Sequence, residues 1–181
     1  MPDWKDLAPL LADRSREELL ALVAELCRSS ADNRRFVAAR LGGRDADESG
    51  AEVLEEYRRR IRQEFASEPA RAPRLGVARK AIRDYRKATE DLEGATDLML
   101  TYVEEGTRFS REHGDMSEAY YGSLGQVLRD LANLLRREPE LRQARLPRLA
   151  ALAEASRRVG WTWGGFVAEV VAELERGAAA D

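Results

Sequence analysis

The sequence predicts an all-α fold: one domain of eight or nine helices stacked as antiparallel helical hairpins. Three observations predict it. Apolar residues recur at spacings of three and four along nearly the whole chain, and no stretch alternates as a strand would. Capping signatures, prolines and glycines punctuate those stretches at helical lengths. The chain has 181 residues, 44% hydrophobic and 35% charged, which suits one real core and is short for two.

The elements follow in order. Ser15 with Glu18 forms a capping box that opens a helix with a Leu19, Leu22, Val23, Leu26 stripe. A short helix then carries Phe36, Val37 and Leu41, and Gly42-Gly43 ends it. Ser49 and Glu52 repeat the capping signature before Val53, Leu54, Tyr57, Ile61 and Phe65. Pro69 and Pro73 bracket a loop. The next helix spans about 75–89, with Val77, Ala81, Ile82 and Tyr85 inward.

A longer helix spans about 92–113 and turns at Gly114-Asp115 into another that reaches about residue 138. So short a turn predicts an antiparallel hairpin, with Asp115 and Glu118 capping its second arm. Each arm is too long for a 34-residue helical repeat, and no second copy is visible. Gly106 and Gly122 lie inside the hairpin at a cost of about 1 kcal/mol each relative to alanine, so close approach of the packed helices is expected there. Pro139 starts a further helix, which Pro147 kinks or splits near Arg145, and Gly160 ends that unit. A last helix carries Val167, Val170, Val171 and Leu174. The domain thus divides into N-terminal helices (1–43), a basic helical pair (49–89), the long hairpin (91–138), C-terminal helices (139–176) and a frayed tail (177–181).

Several function classes drop out. No run approaches the roughly 18 apolar residues of a membrane span. The opening Met-Pro-Asp-Trp-Lys-Asp lacks both segments of a secretion signal, and the lone Cys27 makes no internal disulfide. A cytoplasmic protein is expected. Net charge of −3 excludes a generally cationic nucleic-acid coat.

The charge is unevenly placed. From Arg58 to Lys87 there are eleven basic residues against three acids; from Ala88 to Glu118 there are nine acids against two arginines. On the helix at 75–89, Arg79, Arg83, Arg86 and Lys87 share an outward face, and Arg58, Arg59 and Arg62 can extend it from the preceding helix. Such a stripe suits an anionic protein partner or the phosphates of a nucleic acid. Alternatively, Asp97, Glu104, Glu105 and Glu112 on the following helix neutralise it. Around a glycine-rich turn, Trp161 and Trp163 form either an aromatic contact for a partner or the plug of the helical stack.

Catalytic signals are thin. His113, the only histidine, lies beside Asp115 in a turn but has no nucleophile neighbour, and suits a helix C-terminus. Glu93 with Asp97 share a helical face without the Glu-x-x-His pattern of di-metal sites, and Glu104 with Arg108 reads as an i,i+4 ion pair. Cys27 borders its helix's apolar stripe as a buried filler. No catalytic residue, metal ligand or cofactor site is assigned.

Three stretches together carry a resemblance: ARKAIRDYRK at 78–87, the segment 97–130 with DLMLTYV at its start and YYGSL at 120–124, and GWTWGGF at 160–166. They resemble a bacterial family, domain of unknown function 6155, over nearly the whole chain. Arginine replaces the lysine usual in that family's basic helix, and the double tryptophan is heavier. The family brings no established activity, so the resemblance implies architecture alone. The expected function is a cytoplasmic interaction or scaffold protein without catalysis of its own. It would contact a protein partner through the basic helix and the tryptophan turn. The alternative is a nucleic-acid-associated accessory protein, and a homo-oligomer is open to either.

Overall fold

A computed structural model describes residues 3–42, 48–66, 72–160 and 162–178. Among the described residues the chain is entirely helical outside its turns: α1 (Trp4–Ala12), α2 (Arg16–Ser29), α3 (Ala31–Gly42), α4 (Glu48–Phe65), α5 (Leu75–Thr89), α6 (Leu92–His113), α7 (Glu118–Leu135), α8 (Pro139–Ser156) and α9 (Trp163–Ala178). None of these helices is long and apolar enough to cross a membrane.

Helix α6 is the axis of the fold. It packs against α4, α5, α7 and α8, while α9 closes the far side against α7 and α8. Its sequence explains the position: a continuous run from Gly94 to Val103 is buried on every face, whereas a surface helix buries one stripe. The core joins Tyr57, Ile61 and Phe65 of α4 to Leu98 and Tyr102 of α6, Leu128 and Leu131 of α7, Leu149 of α8 and Val167 of α9. Phe65 and Tyr102 meet edge to face at 5.5 Å, a favoured aromatic geometry.

Local signals set the boundaries, with some corrections. The Ser15–Glu18 capping box forms as expected, with Ser15 Oγ accepting from Glu18 N at 3.1 Å and Glu18 accepting from Ser15 N at 2.8 Å. A second box, unread in the sequence because it uses aspartates, opens α1 between Asp3 and Asp6. Ser49 is the second residue of α4 rather than its cap. Ser117, not Asp115, caps α7; Asp115 instead accepts from Met116 N and the Tyr121 hydroxyl. Helix α8 runs unbroken through Pro147, because that residue faces solvent and the carbonyl left without its N–H partner can be hydrated. Residues expected to fray, Gly177 and Ala178, still belong to α9. The Gly43 end signal and the Pro69 loop lie outside the described residues.

Both hairpin glycines were expected at close approaches, and only Gly106 is at one. A Cβ there would sit 2.4 Å from Leu124 Cδ2 of α7, and Tyr120 donates to its carbonyl at 2.8 Å. Gly122 faces open space. The two positions therefore respond oppositely to alanine. Gly106→Ala is expected to lose about 1–3 kcal/mol by overpacking, and Gly122→Ala to gain up to about 1 kcal/mol through helix propensity. Urea denaturation of both variants checks this.

Candidate functional site: the α5 arginine cleft

Helix α5 buries Ala78, Ala81, Ile82, Tyr85 and Ala88, which turns its arginines outward. Spacings of four and three put Arg79, Arg83 and Arg86 on one stripe. Along that stripe the groove between α5, α6 and α7 opens into a cleft of about 210 Å³, lined by the three arginines, Ile82, Met99, Val127 and Asp130. Ile82, Met99 and Val127 are apolar and nearly fully buried, so they make a floor. Asp130 accepts from Gln126 Nε2 at 2.9 Å. The guanidiniums of Arg79, Arg83 and Arg86 have no ion-pair or hydrogen-bond partner among the described residues, while the Arg86 carbonyl accepts from Glu90 N at 3.3 Å.

The rest of the basic set is used differently. Arg58 donates to Asp97 through Nε at 3.1 Å and Nη2 at 2.6 Å, and also to Glu55. Arg62 pairs with Glu55 at 3.3 Å and Glu105 at 3.5 Å. Lys80 bridges Asp84 at 2.7 Å and Asp32 of α3 at 3.1 Å. Arg59 and Lys87 are exposed without an ion-pair partner among the described residues, and neither lines the cleft.

The acidic block of α6 does neutralise basic helices, but those of α4 and α8 rather than α5. Arg148 of α8, which the sequence did not single out, reaches both Asp97 and Glu104, the latter at 2.7 Å. Arg108 pairs with Glu105 and Glu112 instead of the expected Glu104. Asp97 is 8% exposed between two guanidiniums. Burial would raise its carboxyl, yet the Arg58 hydrogen bond and the charges of Arg148 and Arg58 outweigh it and hold the pKa below the ordinary value. Asp32 is drawn down to about 2, first by the Arg35 hydrogen bond and then by that of Lys80.

The other candidates resolve into structure. Trp163, expected as an aromatic contact or a plug, is 3% exposed and so does not reach a partner. Its Nε1 donates to Thr107 Oγ1 at 3.1 Å, and its ring stacks on Tyr121 at 5.9 Å. Trp161 lies outside the described residues. His113 stacks on Phe109 at 4.1 Å, with Nδ1 3.0 Å from the Phe109 carbonyl, while Asp115 is engaged by Tyr121. Glu93 turns outward toward Arg145 at 3.8 Å and away from Asp97. Cys27 is half-buried on α2. Among the described residues no three His, Cys, Asp or Glu side chains converge as metal ligands would.

Replacing Asp97 by Asn is expected to cost about 2–4 kcal/mol at pH 7, since two guanidiniums lose their shared charge. Because the folded pKa lies below the unfolded one, the carboxylate's contribution is complete well above the ordinary aspartate value of 3.8 and disappears as pH falls through the folded value. The gap between wild type and Asp97→Asn in urea midpoints should therefore shrink as pH falls below the ordinary aspartate value. Compared with protein-family models, curated proteins and solved structures, the chain gives no match in any of the three.

Proposed function

We propose that this protein is a non-catalytic interaction module that docks an acidic segment of a partner protein in the α5 cleft. The observation that carries this reading is the set of three guanidiniums without carboxylate partners above an apolar floor. Unpaired like charges at i,i+3 and i,i+4 destabilise a helix by a few tenths of a kcal/mol per pair, and of the three only Arg86, in the last turn, offsets this by favouring the helix dipole. The floor of Ile82, Met99 and Val127 supports a protein segment over a bare phosphate, because it offers an apolar anchor a place to bury. Cofactor sites usually enclose about 300–1,000 Å³; the cleft's 210 Å³ suits one or two side chains. Arg59 and Lys87 extend the positive field without lining the cleft.

The setting that goes with this reading is the bacterial cytoplasm, supported by the lone cysteine and by the resemblance to a bacterial family. Nucleic acid is the second reading, supported by the same unpaired guanidiniums. Asp130 on the cleft wall repels a phosphodiester and an acidic side chain alike, so it does not separate the two readings.

The test uses fluorescent peptides of Asp and Glu flanking a single Leu, beside single- and double-stranded oligonucleotides, each at about 50 and 200 mM salt. Wild type is compared with an Arg79→Glu, Arg83→Glu, Arg86→Glu triple variant whose circular dichroism is unchanged. The expected result is peptide binding that weakens at least tenfold in the triple variant and when the Leu becomes Ser. Peptide binding indifferent to the triple change, or none in wild type, sinks the reading. Oligonucleotide binding that falls steeply with salt and vanishes in the variant replaces it with phosphate recognition.

A further inference from the structure

Helices α1 and α2 are well-ended but do not reach the core. Both carry complete capping boxes, yet neither contains a buried residue, and no described side chain of α1, α2 or α3 belongs to the core. Helices of nine and fourteen residues are marginal in water without an apolar face packed against something. Here α2 packs on α3, and its apolar face stays partly open. All the large hydrophobic side chains that are exposed among the described residues lie on α1 to α3, from Trp4 at 70% through Leu20 and Leu26 to Leu41 at 71%.

The arm is fixed to the body by the packing of α3 and by charge. Helix α2 packs on α3, and α3 meets α4 and α5 through Asp32 with Arg60 and Lys80, Arg35 with Glu56, and Arg40 with Glu90. Those contacts hold the base of the arm and leave its apolar stripes only partly covered.

We propose that a second copy of this chain covers them, the two arms packing face to face as an antiparallel helical assembly. Area supports it. Among the described residues, ten large hydrophobic side chains on α1 to α3 are at least 36% exposed, which is several hundred Å² of apolar surface per copy, on the order of the 800 Å² per partner of a standard interface. The pattern supports it as well. Leu19, Leu22, Val23 and Leu26 lie symmetrically about the midpoint of α2, so a two-fold axis through Leu22 and Val23 sets Leu19 of one copy near Leu26 of the other. Charge counts against the other obvious occupants. Residues 3–42 hold seven basic and seven acidic side chains. The arm therefore has no net positive charge to draw a nucleic acid or an anionic membrane, which need a cationic polar face.

The experiment is sedimentation equilibrium of the full chain from about 1 to 100 μM, with Leu22→Glu beside wild type. Leu22 is partly exposed, so the substitution leaves the α4–α9 core untouched, and near-ultraviolet circular dichroism checks that. Wild type is expected at twice the chain mass, and Leu22→Glu at least 100-fold weaker in association. A spin label on Cys27, the only cysteine, adds a readout that locates the contact. In wild type the two labels should couple within about 30 Å, given 1.5 Å of rise per residue from the axis, and in Leu22→Glu they should not. A wild type that stays monomeric at 100 μM overturns the proposal, as does a dimer that Leu22→Glu leaves intact. A monomer that binds zwitterionic vesicles overturns it too, and assigns the face to lipid. The α5 triple variant should still dimerise, so failure here and failure of cleft docking are separable.

Discussion

The carboxylate of Asp97 is the point on which the arrangement of charge in this molecule turns. It sits on the central helix with little access to solvent and is bonded from two sides, by Arg58 of α4 and Arg148 of α8. A buried carboxylate without such partners would cost several kcal/mol. Its presence therefore dictates that α4 and α8 approach α6 with guanidiniums facing inward, on either side of the same turn. Replacement of such a cluster by apolar side chains is often neutral in stability, so its value lies more in fixing which helices meet, and in what register, than in net energy.

The clamp also sets where the acids of α6 act. At 3.6 residues per turn they lie on another side of α6 from Met99, which lines the cleft, and they are engaged there: Asp97 and Glu104 by Arg148 of α8, Glu105 and Glu112 by Arg108 of α6 itself. None of them pairs with Arg79, Arg83 or Arg86. The only carboxylate on the cleft wall comes from α7, where Asp130 is bonded by Gln126. The positive face of α5 is thus separate from the pairing of the core charges, which makes it available to an external anion without weakening the core.

How much of this was legible in the sequence depends on range. Helix positions and several caps were readable because they rest on contacts within four residues, as at Ser15 and Glu18. The charge swing from Arg58 to Glu118 was readable as composition, but its pairing was not. Arg148 lies 51 residues from Asp97 and gives no local sign of its role. The floor of the cleft was hidden for a related reason: Ile82, Met99 and Val127 read as ordinary core positions, and only packing shows that they abut the arginines. Trp163 carried the opposite ambiguity. A tryptophan beside glycines fits a surface or a plug equally well, and its bond to Thr107, 56 residues away, decides for the plug.

The exposed arm and the cleft are joined through α5, and this gives the two proposals a common physical basis. Lys80, on the same helix as the cleft arginines, holds Asp32 of α3, while Arg40 of α3 reaches Glu90 at the α5 C-terminus. Ion pairs this exposed are each worth about 1 kcal/mol or less, so the packing of α3 on α4 and α5 carries the attachment beside them. A second copy seated there would carry a second α5 cleft in the same particle. Two weak sites then act on a partner that bears two acidic segments at a raised effective concentration, and avidity can exceed either single affinity by about 10²–10⁴ where the spacing permits. A small cleft is poorly suited to tight binding by itself. Paired with its copy, it is suited to recognising a repeated or multivalent acidic partner.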